Sequence, residues 1–149
     1  MTLLALILRA MTILAASEPA HVPVNEGLAR DIAAAVEGEP DAERWAARMV
    51  VYAWQESRLG WRWDGRKLVF DACRSGDGGK AHGYWQIHAR PELACASADA
   101  ARLWLRMAKA SVHDCGGFAE LMSGSCNRGT RVAAWRERET DRVMREVGR

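Results

Sequence analysis

Glu56 is the residue whose type and position in this chain best suit acid–base chemistry. It stands in the stretch Asp41–Gly60, where Trp45, Met49 and Tyr52 recur at helical spacing. This spacing predicts one helix whose apolar face points into a core, with Glu56 at the edge of that face. A carboxyl group partly removed from water is stabilised in its protonated form, which is the form that a general acid needs.

Two further segments carry residues that suit a site for a glycan. Ser57 follows Glu56 directly, His82–Ile87 reads HGYWQI, and Cys126–Gly129 reads CNRG. An ES pair at a helix end, then G-x-x-Q, then N-x-G, in this order, resembles the lytic transglycosylases of the lysozyme-like superfamily. The resemblance covers roughly Asn25 to Val147. This chain departs from the family pattern at Cys126, because the family usually has a Tyr directly before the Asn.

The resemblance implies an enzyme that cleaves peptidoglycan between N-acetylmuramic acid and N-acetylglucosamine. In that family one glutamate, which would be Glu56 here, protonates the glycosidic oxygen. It then takes the proton of the muramic acid C6 hydroxyl, giving a 1,6-anhydro product without water. Ser57 would orient the glutamate or the substrate. Alternatively, Glu56 pairs with a nearby arginine, such as Arg58 or Arg62, and Ser57 bonds its own helix backbone.

Several other residues are expected to contact the substrate. Gln86 has both a donor and an acceptor for an N-acetyl group or for the catalytic carboxyl, and Gly83 would let the backbone approach a sugar closely. The indoles of Trp61 and Trp63 could serve as platforms for a sugar ring, with ordinary packing as the alternative. Asn127 matches the asparagine of the family. The predicted substrate-binding set is Ser57, Trp61, Trp63, Gly83, Tyr84, Gln86 and Asn127.

A second carboxylate would change the reaction, because glycosidases that use water generally place two carboxylates across the bond. Asp64, Asp71 and Asp77 all follow Glu56, and Asp71 at the end of a strand-like run is the best candidate. A lysozyme-type hydrolase is therefore the alternative enzyme. Outside enzymes, the alternative is a non-catalytic protein that binds or scaffolds the wall in a secretion or phage assembly.

The elements that would position these residues indicate an α+β, mostly helical fold. The strand-like run Leu68–Phe70, the turn Ser75–Gly79 and the segment Gly83–Ile87 predict one small β-hairpin beside the catalytic helix. The motifs imply that the arrangement is lysozyme-like. The predicted helices are 25–36, 41–60, 98–112, a short one at 118–122, and 132–147, the last with Trp135 and Val143 on its inner face.

Residues 1–20 form an apolar N-terminal segment ahead of a predicted lysozyme-like catalytic domain at 21–149. The run Leu3–Ala16 is too short to span a bilayer. It resembles the hydrophobic region of a signal peptide, with Ala15-Ala16-Ser17 as a cleavage site, although Arg9 interrupts it. The alternative is a retained helix that packs on the domain. We favour the signal segment, which places the protein in the periplasm or outside the cell.

The four cysteines, at positions 73, 95, 115 and 126, agree with export if they are bridged. None lies in a C-x-x-C pair, so a zinc site is not expected. Four cysteines allow three pairings, of which we predict Cys73–Cys95 and Cys115–Cys126 because each closes a short loop. The alternative is four reduced thiols.

Charge and length limit the class of partner. The chain has 149 residues and a net charge of only +2, so it suits one domain and does not suggest a nucleic-acid binder. We expect a monomer that binds peptidoglycan glycan strands and uses no metal and no other cofactor. A secretion, conjugation or phage assembly is the wider context in which such a protein would work.

Overall fold

Helices make up most of the chain in the computed structural model, which describes residues 1–18, 22–115 and 130–149. Two small antiparallel hairpins complete the described part, so the predicted α+β, mostly helical class is confirmed. The helices are α1 (Leu3–Ala15), α2 (Glu26–Val36), α3 (Ala42–Ser57), α4 (Pro91–Ala94), α5 (Ser97–Cys115) and α6 (Thr130–Val147), and the strands are β1 (Trp61–Asp64), β2 (Lys67–Phe70), β3 (Ser75–Gly76) and β4 (Ala81–His82).

Helix α3 lies at the centre of the helices and packs against α1, α2, α5 and α6. Its apolar face is buried as predicted, with Trp45, Met49 and Tyr52 in the core. The helix ends at Ser57 rather than at Gly60, because the next three residues form a single 3-10 turn. This turn carries two left-handed residues, Arg58 and Leu59, with φ of 52° and 57°.

Helix α1 is part of the same core. One stripe of its surface is buried and packs against α2, α3 and α6, while Ala5, Arg9 and Thr12 face solvent. Arg9 therefore interrupts the apolar sequence without interrupting the buried face. None of the described helices combines the length and apolarity needed to cross a bilayer. Cleavage at Ala15-Ala16-Ser17 stays a prediction. The buried stripe consists of Leu6, Ile7, Ala10, Met11, Leu14 and Ala15.

The prediction of one hairpin is wrong, because the described chain has two. Strand β2 pairs with β1, which precedes it, and Asp64 lies opposite Lys67. Gly65, with φ of +62°, takes the first central position of the connecting two-residue turn, which is the pattern of a type II′ hairpin. The second hairpin joins β3 and β4. Residues 83–87 form turns and one isolated bridge, from His82 to Ile87.

Helix α6 presents a different face to the core than predicted. Val143 is buried as expected, but the prediction for Trp135 is wrong, because its side chain is 41% exposed. Arg136, Thr140 and Val147 share the inward face with Val143 at helical spacing. A charged residue takes this position because it has a carboxylate partner on α3, described below.

Within the described residues, one disulfide joins the segment between the two hairpins to the residue after α4. Cys73 and Cys95 are bonded, with Cα atoms 4.8 Å apart, which confirms this predicted pair. Disulfides are typical of oxidising compartments. The other predicted pair lies outside the described residues, since neither the side chain of Cys115 nor residue 126 is described.

Replacing both Cys73 and Cys95 by serine is expected to lower the free energy of unfolding by about 3 kcal/mol. The bond closes a loop with a sequence separation of 22, and its loss raises the conformational entropy of the unfolded chain. Urea unfolding of the oxidised protein and the double variant measures the difference. In the presence of reductant the wild type and the variant should unfold at the same midpoint, because neither then has a disulfide. Equal midpoints of the two oxidised proteins would contradict a stabilising bond.

Candidate active site at the end of helix α3

The Glu56 carboxylate lies at the C-terminal end of α3, with 28% of its side chain exposed. Its partner is Arg136 of α6, whose Nη2 lies 2.5 Å from Glu56 Oε1. The alternative of an ion pair is therefore what the structure shows, but with a partner remote in sequence rather than Arg58 or Arg62. The carboxylate is half-buried, accessible and held on a rigid element.

Arg136 is itself enclosed by aromatic and polar groups. Its guanidinium carbon lies 4.5 Å from the ring centroid of Tyr52, a cation–π distance. Burial raises the pKa of the Tyr52 phenol, and the Arg136 cation acts against that rise. The Nε of Arg136 is buried and has no acceptor within the described part of the chain. Arg136 is thus held over Tyr52 and against Glu56.

A second group of charges fixes α6 on α3. The guanidinium of Arg48 binds both carboxylate oxygens of Glu137, at 2.9 and 3.0 Å. Arg44 binds Glu137 at 3.0 Å and Asp141 at 2.8 Å. Such bidentate contacts define geometry as well as contributing energy. They set the register of the two helices, and therefore where Arg136 meets Glu56.

The ion pair has a chemical consequence. The guanidinium of Arg136 makes a charge-assisted hydrogen bond that fixes the position of Oε1. Proton transfer by Glu56 would use Oε2 or would follow the release of Oε1 by Arg136.

Ser57 is turned into the protein. Its Oγ donates to the carbonyl of Ala53 at 3.0 Å and accepts the N–H of Gly60 at 3.2 Å, and the residue is buried. It therefore ends α3 and shapes the turn that leads to β1, which is the alternative given for it above. Ser57 would therefore affect Glu56 only by fixing the position of the end of α3.

Gln86 and Tyr84 are both buried. The amide nitrogen of Gln86 donates to the carbonyls of Arg74 and Gly83, at 2.8 and 2.9 Å, so both of its N–H groups are used within the protein. The Tyr84 hydroxyl accepts from Asn25 at 3.1 Å, and burial raises its pKa. In this structure the two residues hold the loop together, and their contact with substrate stays a prediction.

Gly83 allows a close backbone approach, but the neighbour is the protein's own chain. Its φ is +79°, and a Cβ added there would lie 2.1 Å from the carbonyl oxygen of Ala94. Cys95, the next residue, carries the disulfide. The glycine therefore packs the G-x-x-Q segment onto the end of α4.

Gly83→Ala is expected to destabilise the protein more than Gly79→Ala. Both glycines have similar positive φ, +79° and +85°, but nothing lies within 4 Å of a Cβ added at Gly79. Backbone strain of about 1–3 kcal/mol affects both variants, and the clash with Ala94 adds about 1–3 kcal/mol for Gly83 alone. Thermal or urea unfolding measures the difference, and equal losses would contradict the close packing.

The hairpin β1–β2 carries an aromatic face. Trp61 lies opposite Phe70 with ring centroids 5.1 Å apart, and Trp63 lies opposite Leu68. Trp63 is 51% exposed and Phe70 46% exposed, whereas Trp61 is half-buried. Exposed aromatic rings at this density suit a ligand with apolar faces, such as a sugar. Sequence reasoning missed Phe70, although its cross-strand position follows once the hairpin register is known.

The remaining predicted residues are less informative. Asp71 is half-buried, and its Oδ1 accepts the backbone N–H of Cys73 at 3.0 Å, a local turn contact. Asn127 lies outside the described residues. Within the described part, no group of three or more His, Cys, Asp and Glu side chains is arranged to hold a metal ion.

Comparisons of this chain with known protein families, with curated proteins and with solved structures found no match.

Proposed function

We propose that the protein is a peptidoglycan lytic transglycosylase in which Glu56 acts first as acid and then as base. The observation that carries this proposal is a partly exposed carboxylate at the end of the central helix. Its supports are rigid: a buried helix behind it and a capped turn after it. Catalytic groups act best when such elements hold them. The sequence order of Glu56, Gln86 and Asn127, which resembles the family, also supports it.

Glu56 transfers one proton in each of the two steps of the proposed reaction. The protonated acid gives its proton to the glycosidic oxygen as the bond from that oxygen to C1 of muramic acid breaks. The carboxylate then takes the proton of the C6 hydroxyl while O6 bonds to C1, which closes the 1,6-anhydro ring. Arg136 would move away from Glu56 before proton donation and return to stabilise the carboxylate that the first step forms.

A wall-binding protein without catalysis is the second candidate. The specific observation in its favour is the ion pair between Glu56 and Arg136, at 2.5 Å. An ion pair that is never broken would hold α3 and α6 together and leave no acid for catalysis. The aromatic face of β1–β2 serves this candidate equally well.

The proposed substrate sets a location. Peptidoglycan lies outside the cytoplasmic membrane, so the proposed enzyme works in the periplasm or beyond the cell. The disulfide between Cys73 and Cys95 agrees with that environment. A secretion, conjugation or phage assembly would be a fitting partner for an enzyme that opens the wall locally.

Dye-labelled, purified sacculi provide the direct test. Soluble dye released by the wild type, in proportion to enzyme and time, is the expected result. Co-sedimentation with sacculi and no release would favour the wall-binding candidate. If the protein neither releases dye nor co-sediments with sacculi, both functions are contradicted.

A further inference from the structure

A cleft of about 240 Å³ lies where the turn after α3 meets the first hairpin. Its lining is unusual in combining several guanidinium groups with two indoles. We call it the arginine cleft, defined by Glu18, Arg58, Trp61, Arg62, Trp63 and Arg74. Glu56 is not one of its lining residues, so the cleft is a separate feature from the candidate acid.

The charges of the arginine cleft are not balanced. Arg58 is occupied, since its Nε lies 3.0 Å from Glu18 Oε1 and its Nη1 donates to the carbonyl of Trp54 at 2.9 Å. Arg62 and Arg74 are exposed, and neither makes an ion pair with residues 1–18, 22–115 or 130–149. Two positively charged residues that line the cleft therefore have no ion-pair partner in the described part of the chain. Guanidinium groups in that setting suit a carboxylate, which they can bind through two N–H groups.

The indoles give the cleft a second chemical character. Trp63 lines it with an exposed ring, 51% of its surface open. Trp61 also lines the cleft, and its Nε1 is buried with no acceptor in the described part of the chain. An exposed indole beside unpaired cations suits a ligand that has both a sugar face and an acid group.

We propose that the arginine cleft binds a carboxylated saccharide, with a sugar ring on Trp63 and the carboxylate on Arg62 and Arg74. The inference rests on the proposed function, because peptidoglycan supplies this combination of groups. Its carboxylates come from two sources, the lactyl group of muramic acid and the peptide attached to it. Both present the same acid beside an N-acetylated sugar. The cleft would therefore distinguish the wall polymer from uncharged N-acetylglucosamine chains.

Calorimetric titration of the Glu56→Gln variant tests this without cleavage of the ligand. The probes are muramic acid-containing tetrasaccharides with free lactyl carboxylates, the same glycans with attached peptides, methyl-esterified forms of both, and N-acetylglucosamine oligomers. We expect the acidic forms to bind at least about tenfold more tightly than the esters and the neutral oligomers. The better of the two acidic probes identifies the source of the carboxylate.

Paired substitutions on the same background locate the binding. Arg62→Gln with Arg74→Gln should weaken binding of the acidic probe about tenfold or more, and Trp63→Ala should weaken every probe. The matched control, Arg66→Gln with Arg106→Gln, removes the same charge from exposed positions outside the cleft and should leave most of the affinity. Equal losses in the two pairs, equal affinity for acids and esters, or no binding at all would overturn the proposal.

The outcomes separate the two proposals. Carboxylate-dependent binding by a protein that cleaves no sacculi would support the ligand proposed for the arginine cleft and contradict the proposed enzymatic function. Cleavage of sacculi, with an affinity for the acidic probe that Arg62→Gln and Arg74→Gln do not change, would support the enzymatic function and contradict the ligand proposed for the arginine cleft.

Discussion

Glu56→Gln is expected to reduce the rate of peptidoglycan cleavage by about 10²–10⁴-fold. The amide has nearly the shape of the acid, and its carbonyl can still accept a hydrogen bond from Arg136. It cannot donate an acidic proton to the glycosidic oxygen or accept one from the C6 hydroxyl. Initial rates of fragment release from sacculi, at equal protein concentrations, measure the effect.

A matched control separates catalysis from the loss of a charge. Glu43 lies on the exposed first turn of the same helix, so Glu43→Gln removes an equal charge without touching the candidate site. It should cleave at the wild-type rate. Circular dichroism and the urea midpoint should show that both variants are folded. A folded Glu56→Gln protein with wild-type activity would contradict the assignment of Glu56.

Ile7→Asp is expected to cost the protein most or all of its stability. Ile7 is fully buried in α1, which packs against α2, α3 and α6. The variant loses an apolar side chain from the core and places a carboxylate there without a partner, at a cost of several kcal/mol. Since domains are stable by only about 5–15 kcal/mol, we expect a large fall in the urea midpoint or an unfolded protein.

Ala5→Asp is the control for Ile7→Asp. Ala5 lies on the solvent-exposed side of α1, in its first turn, where a carboxylate is favourable to the helix dipole. It should leave the unfolding midpoint nearly unchanged. A similar, small effect of both substitutions would show that α1 does not contribute to the core in solution, as expected if residues 1–16 were removed.

Local signals predicted the helices well because their causes are local. A helix was predicted to begin at residue 25, and the Oδ1 of Asn25 caps α2 by accepting the N–H of Leu28 at 3.0 Å. The buried face of α3 follows from the spacing of Trp45, Met49 and Tyr52. Capping and periodicity act over a few residues, so a single sequence contains them in full.

Long-range pairings could not be predicted in the same way. The partner of Glu56 is 80 residues away, and choosing Arg136 among the arginines of α6 requires the packing of α6 on α3. One signal was present: Arg136 stands seven positions before Val143, on the same helical face. Likewise, Leu68 to Phe70 was recognised as a strand, but its pairing with β1 depended on the turn at Gly65.

The G-x-x-Q segment shows that the same residue types can suit either contact with a ligand or packing within the protein. Gly83 was expected to approach a sugar and Gln86 to bind one. In the structure Gly83 meets the backbone at Ala94, and the Gln86 amide binds the carbonyls of Arg74 and Gly83. The residue types fit close packing and hydrogen bonding in both cases. Only the three-dimensional neighbours decide whether the partner is a ligand or the chain itself.

Mass spectrometry of the fragments released from purified peptidoglycan tests the central claim most directly. A lytic transglycosylase working through Glu56 will give muropeptides that end in 1,6-anhydromuramic acid, one water lighter than the hydrolysed forms, and the Glu56→Gln variant will give none. Fragments of full mass with reducing ends would contradict the transglycosylase and favour a hydrolase, for which Asp71→Asn is the next variant. Anhydro products in equal yield from Glu56→Gln would contradict the account of the site itself.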